Sequence, residues 1–144
     1  MSGRAFQVLQ QMLKMRKDRS VAKSKMVKAE LDRVSSFNAQ IESYANEYES
    51  QWMNTAQKGD TVLHLQTQAS FGQKLRATAA SQVPEIQNLQ AQTKEAMTKA
   101  QQDAERLKTF ESFMANRQRL KQKALDQQDE KTLEDVLQAR HRSS

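Results

Sequence analysis

Of the residues able to do chemistry near neutral pH, His64 and His141 come first, because an imidazole can ligate a metal or move a proton. They stand far apart in the chain, with no cysteine anywhere and no cluster of carboxylates around either, so a metal centre is not expected. No Gly-rich loop suited to cradling a phosphate occurs, and the Ser, His and Asp residues show no spacing that pairs a nucleophile with a base. A chain of 144 residues that is 37% hydrophobic and 28% charged, with a mean hydropathy of −0.89, also has little material for a rounded core with a cleft. The expectation is a protein that is not an enzyme and carries no cofactor.

What remains is the chemistry of recognition. Between Met1 and Lys28 lie eight basic residues, Arg4, Lys14, Arg16, Lys17, Arg19, Lys23, Lys25 and Lys28, against Asp18 alone, within a net charge of +6. Such a run can be a solvated helix face, or it can attract an acidic protein, a nucleic acid or an anionic membrane. Nucleic acid is the weakest of these, since no aromatic interleaves Lys14 to Lys28 and no DNA-binding signature follows. The second recognition group is aromatic: Tyr44, Tyr48, Trp52 and Phe71, with Ile41, Leu65 and Leu75 nearby. Tyr and Trp supply large contact area at small entropic cost.

Periodicity supplies the scaffold for both groups. Val27, Leu31, Val34, Asn38, Ile41, Ala45, Tyr48 and Trp52 recur in steps of four and three, a coiled-coil seam with a polar position at Asn38. No Gly or Pro interrupts Arg4 to Lys58, so one helix over about 4–57 is expected, with Met1 to Gly3 frayed. Continuing the Val27 phase backward places Lys17, Ser20 and Ser24 on the seam, which predicts loosening or a change of phase between Met15 and Met26. Glu30 and Arg33 are spaced to pair across one turn.

Gly59 suits a left-handed helix-ending position, and Asp60 or Thr61 can cap the next helix, so a turn is expected at about 58–61. A short loop makes the helices antiparallel neighbours, with facing residue numbers summing to roughly 116, give or take several. That register sets Tyr44 against Phe71 and Ile41 against Leu75. The second helix should run over about 62–139, weakened at Gly72 and kinked or broken at Pro84. Alanines at 96, 100 and 104 would permit close approach of the facing helix. The fold class is therefore all-α, a long antiparallel two-helix coiled-coil hairpin in one domain, the C-terminal helix being the longer.

If Phe6 faces Phe110, residues beyond about Asn116 have no partner on the first helix. Leu120, Leu125, Leu133, Val136 and Leu137 then form an amphipathic overhang that is a candidate docking element. No apolar run is long enough to span a bilayer or to serve as a secretory signal, which leads to the expectation of a cytoplasmic protein.

Three stretches carry a family likeness: Tyr44-Ala-Asn-Glu-Tyr48, Phe71-Gly-Gln-Lys-Leu75, and Asp126-Gln-Gln-Asp-Glu-Lys-Thr-Leu-Glu-Asp-Val-Leu-Gln-Ala-Arg140. In this order and spacing the chain resembles the FliJ family of flagellar export proteins along essentially its whole length. The resemblance implies a stalk of the flagellar type III export apparatus, similar to the central stalk of rotary ATPases and peripherally associated with the inner membrane. Its terminal ends would insert into the hexameric export ATPase, and its turn side would contact the export gate protein FlhA. Export chaperones are further implied partners.

Matched residue by residue, the gate contacts would be Ile41, Tyr44, Tyr48, Phe71 and Leu75. The family's polar positions in that patch fall on Phe37, Thr78 and Gln82, which depart from the pattern, as do Pro84 and the density of basic residues before Lys28. The ring contacts are assigned to Arg16, Lys17, Arg19, Leu120, Leu125, Leu133 and Leu137. Neither nucleic acid binding nor direct membrane insertion is expected. The alternatives are the equivalent stalk of a virulence-type secretion system, or a cationic coiled-coil adaptor for nucleic acid or anionic membrane. The adaptor would bind through Lys14 to Lys28 with a steep salt dependence and would be indifferent to Tyr44 and Phe71.

Overall fold

The computed structural model describes residues 3–59 and 61–143; the fraying expected at Met1 and Ser2 and the cap considered at Asp60 lie outside the described residues, and Gly3, also expected to fray, is the first residue of the first helix. Helix α1 spans Gly3–Gln57 and helix α2 spans Val62–Ser143, so the second helix is the longer, and the two pack against each other. Gly59 ends α1 with φ of +80°, a backbone conformation that costs a side-chain-bearing residue but not glycine. On the far side of the turn, Thr61 Oγ1 accepts a hydrogen bond from the His64 amide at 3.3 Å, capping the start of α2.

α2 continues through Pro84 without a break. Pro84 is exposed, so the carbonyl that its missing N–H leaves unpaired can turn to water. No helix among the described residues is long and apolar enough to cross a membrane.

The chain divides into two compact units, Asp18–Gln101 and Met1–Lys17 with Gln102–Ser144. In the first, α1 buries Ser20, Val34, Asn38, Ile41 and Ala45, and half-buries Ser24, Val27, Leu31 and Tyr48 between them. α2 answers with Leu65, Gln68, Gly72, Leu75, Ala79 and Gln82, continuing through Ile86, Leu89, Thr93, Ala96 and Ala100, again in steps of three and four. The change of phase expected between Met15 and Met26 does not occur. Ser20 and Ser24 stay on the seam with the small Thr93, Ala96 and Ala100 of α2, so the phase is kept and the loosening expected here takes the form of a gap along the seam edge. Trp52, expected on the seam, is exposed beyond its last well-covered layer.

In the second unit the inward residues of α1 are Phe6, Leu13 and Lys17, and those of α2 are Asp103, Leu107, Phe110 and Met114. Phe6 meets Phe110 at 6.3 Å and Phe113 at 6.4 Å between ring centroids, and the Arg117 guanidinium lies 4.5 Å from the Phe6 ring centre. Every described residue from 115 to 143 is exposed.

Candidate interaction surfaces

The aromatic group sits within Asp18–Gln101. Tyr48 and Phe71 meet edge to face, with centroids 4.7 Å apart and planes at 60°. Tyr48 lies nine residues before Gln57 and Phe71 nine after Val62, so the two are placed symmetrically about the turn. Tyr48, not Tyr44, thus makes the ring contact with Phe71, a pairing that lies within the several residues allowed around the register read from sequence. A Cβ at Gly72 would lie 3.8 Å from the Tyr48 Cβ, an ordinary van der Waals contact, so Gly72 lies across the seam from Tyr48 without being required by the ring pair.

In heptad terms Tyr48 is a d residue, and Phe37 and Tyr44 fall at g positions; on α2, Leu75 is d and Phe71 is g. In an antiparallel pair the g positions of both helices share one flank of the seam. Tyr44 is 55% and Phe71 45% exposed on that flank, and Phe37 is exposed beside them. Ile41 and Ala45 are buried beneath, while Tyr48 and Leu75 are half-buried between surface and core. The structure therefore brings all five residues of the proposed gate contact to one region, but Ile41 supports the patch from below instead of facing solvent.

The opposite flank carries a clasp that the sequence reading missed. Arg76 Nη2 donates to Asn46 Oδ1 at 3.0 Å and also pairs with Glu49, tying α2 to α1 next to the Tyr48–Phe71 layer. The signal was present as opposite charges at e positions that meet only once the register is known. Because the clasp occupies the e flank, it leaves the aromatic flank uncovered.

The residues assigned to the ATPase ring are less concentrated. Arg16 and Lys17 lie on α1 in the unit that also holds the four tail leucines, whereas Arg19 lies in the other unit. Leu120, Leu125, Leu133 and Leu137 are all exposed. Past Met114 the seam phase falls on Arg117, Lys121, Ala124, Gln128, Lys131 and Asp135, so the apolar residues have rotated away from it. At about 100° per residue, Leu125, Leu133, Val136 and Leu137 share an arc of about 120°, and Leu120 points to the other side. The tail thus presents one apolar face made of four residues, without Leu120.

Along α1, Glu30 and Arg33 form the expected one-turn pair, with Nη2 to Oε1 at 2.6 Å and Nε to Oε2 at 3.1 Å. The hydrogen bonds from Arg33 hold the Glu30 carboxyl below the usual carboxylate range, with burial opposing and the opposite charge assisting. Among the described residues, no group of three or more His, Asp or Glu side chains is gathered as a metal site would require.

Comparison with known proteins gives a family match over the whole chain: a family model described as "Flagellar FliJ protein" covers residues 1–144. No curated protein and no solved structure matches.

Proposed function

This chain belongs to the FliJ family of flagellar proteins, and from that premise we propose that it is a non-enzymatic stalk of the flagellar type III export apparatus. In this reading it acts in the cytoplasm at the inner-membrane export machinery, with its terminal unit in the hexameric export ATPase and its aromatic flank on the gate protein FlhA. It raises ATPase activity in trans by favouring the assembled ring, and couples ring to gate through differential contacts. Export chaperones are further partners.

The observation that carries the reading is the aromatic flank. Tyr44 and Phe71 remain half exposed directly above a buried Ile41 and Ala45, although the neighbouring seam positions are covered. Large rings held on a rigid base and left open to solvent are the usual make-up of a protein-binding hot spot. The unpartnered tail supports the other end of the model, because an exposed apolar face of four residues on a helix calls for a partner.

The test is a pull-down and ATPase assay with the cognate export ATPase and the cytoplasmic domain of FlhA, comparing the wild type with Tyr44→Ala/Phe71→Ala. The expected result is that the wild type stimulates the ATPase and binds the gate, and the double variant loses gate binding alone. A wild type that touches neither partner would overturn the proposal.

A further inference from the structure

Unit Asp18–Gln101 contains a second feature, on the e flank opposite the aromatic patch. It is a groove of about 670 Å³, floored by Val21, Ser24, Leu31, Thr93 and Met97. It exists because Ser24, Thr93 and Ala100 are too small to fill the seam edge. Lys25 and Lys94 stand on its rims, and no acidic residue lines it. Met97, on its floor, is 52% exposed. Thr93 Oγ1 is buried without a hydrogen-bond partner, whereas the hydroxyls of Thr67, Thr78, Thr98 and Thr132 each donate to the carbonyl four residues back. An apolar floor rimmed by two cations and free of carboxylates describes the receptor for an acidic amphipathic helix.

Such a helix is present in the chain itself. From Leu125 to Leu137 there are five carboxylates against Lys131 as the one base. At about 100° per residue, Asp126, Asp129 and Glu130 fall on or beside the arc that holds Leu125, Leu133, Val136 and Leu137, and Lys131 falls outside it. The face is therefore both apolar and anionic, and all of its residues are exposed. We propose that the acidic tail of one copy docks in the lysine-rimmed groove of a second copy. Its leucines cover Val21 and Met97, and its carboxylates meet Lys25 and Lys94. Exchange of tails between two copies makes a symmetric dimer. In that dimer the apolar tail is sheltered until another partner takes it.

The test is sedimentation velocity of the full chain alone, over a concentration series at low and at physiological salt. The wild type should pass from monomer to dimer with rising concentration, more weakly in salt. Lys25→Glu/Lys94→Glu and, separately, Asp126→Lys/Glu130→Lys should each move the midpoint to at least about tenfold higher concentration. Combining all four should restore it to within about threefold, as expected when the reversed charges meet each other. All four positions are exposed, so circular dichroism melts taken at concentrations below the dimer midpoint should match the wild type. A wild type that stays monomeric throughout overturns the proposal, leaving the groove to an acidic helix of another protein. A dimer indifferent to the groove variant, or no recovery in the fourfold variant, overturns it as well.

Discussion

Tyr48 stands edge-on to Phe71, with ring centroids 4.7 Å apart, while Tyr44, one turn earlier on the same helix, stays 55% exposed. The two tyrosines therefore divide one task. Tyr48 fastens the helices together, and Tyr44 faces outward.

Truncating each tyrosine should separate stability from recognition. Tyr48→Ala removes the ring pair, worth about 0.5–1.5 kcal/mol beyond the area it buries, and should lower Tm by several degrees. Tyr44→Ala should leave the thermal melt within about 0.5 kcal/mol of the wild type while weakening binding to FlhA. Equal losses of Tm in both variants would show that Tyr44 packs into the seam.

Ending the chain after Asn116 should leave the hairpin folded, because every described residue beyond 114 is exposed. The loss in the melt is confined to the Arg117 contact with Phe6, about 0.5–1 kcal/mol. Stimulation of the export ATPase should nevertheless disappear. Unchanged stimulation would remove the tail from the ring model.

Asn38 and Asp103 are both buried in the seam, and Asn38 Oδ1 and Asp103 Oδ2 have no hydrogen-bond partner; the nearest cation to Asp103 is Arg106, at 3.9 Å. Each is costly where it sits, so Asn38→Leu and Asp103→Leu should each raise stability by about 1–3 kcal/mol in denaturant melts. The gain should come with looser register, since a polar seam residue penalises slipped pairings. Introduced as Tyr48→Cys/Gly72→Cys in this cysteine-free chain, where the two Cβ positions lie 3.8 Å apart, a cross-link should form less completely in the Leu variants. A fall in stability would mean that both groups are satisfied in solution.

Glu30 offers a check on local electrostatics. Its carboxyl is held below the ordinary value of 4.5, first by the hydrogen bonds from Arg33, so its folded pKa is lower than its unfolded one. The pair therefore contributes above the unfolded pKa, and that contribution is lost as pH falls through the folded pKa. An NMR titration of Glu30 should show the lowered midpoint, and Arg33→Ala should move it back up. A midpoint that does not respond to Arg33 would show that the pair is open in water.

Much of this protein is legible in its sequence, because the features concerned are local. The step of three and four from Val27 to Tyr48 dictates an amphipathic helix, Gly59 supplies the one backbone angle that ends it, and the unequal lengths on either side of the turn leave a tail over. The likeness to one family was also readable in short stretches. Which residues meet was decided only by tertiary structure. Register depends on the turn as a whole, so Phe71 found Tyr48 and not Tyr44. Ser20 and Ser24 look unfit for a seam until the small Thr93, Ala96 and Ala100 of the other helix are set with them in the same unit. Ile41, a seam residue by its spacing and a gate contact by the family likeness, is buried in the seam, and the Arg76 clasp and the groove arose from pairs far apart in the chain. A helix is specified by neighbours along the chain, but a pairing is specified by sizes and charges that only packing brings together.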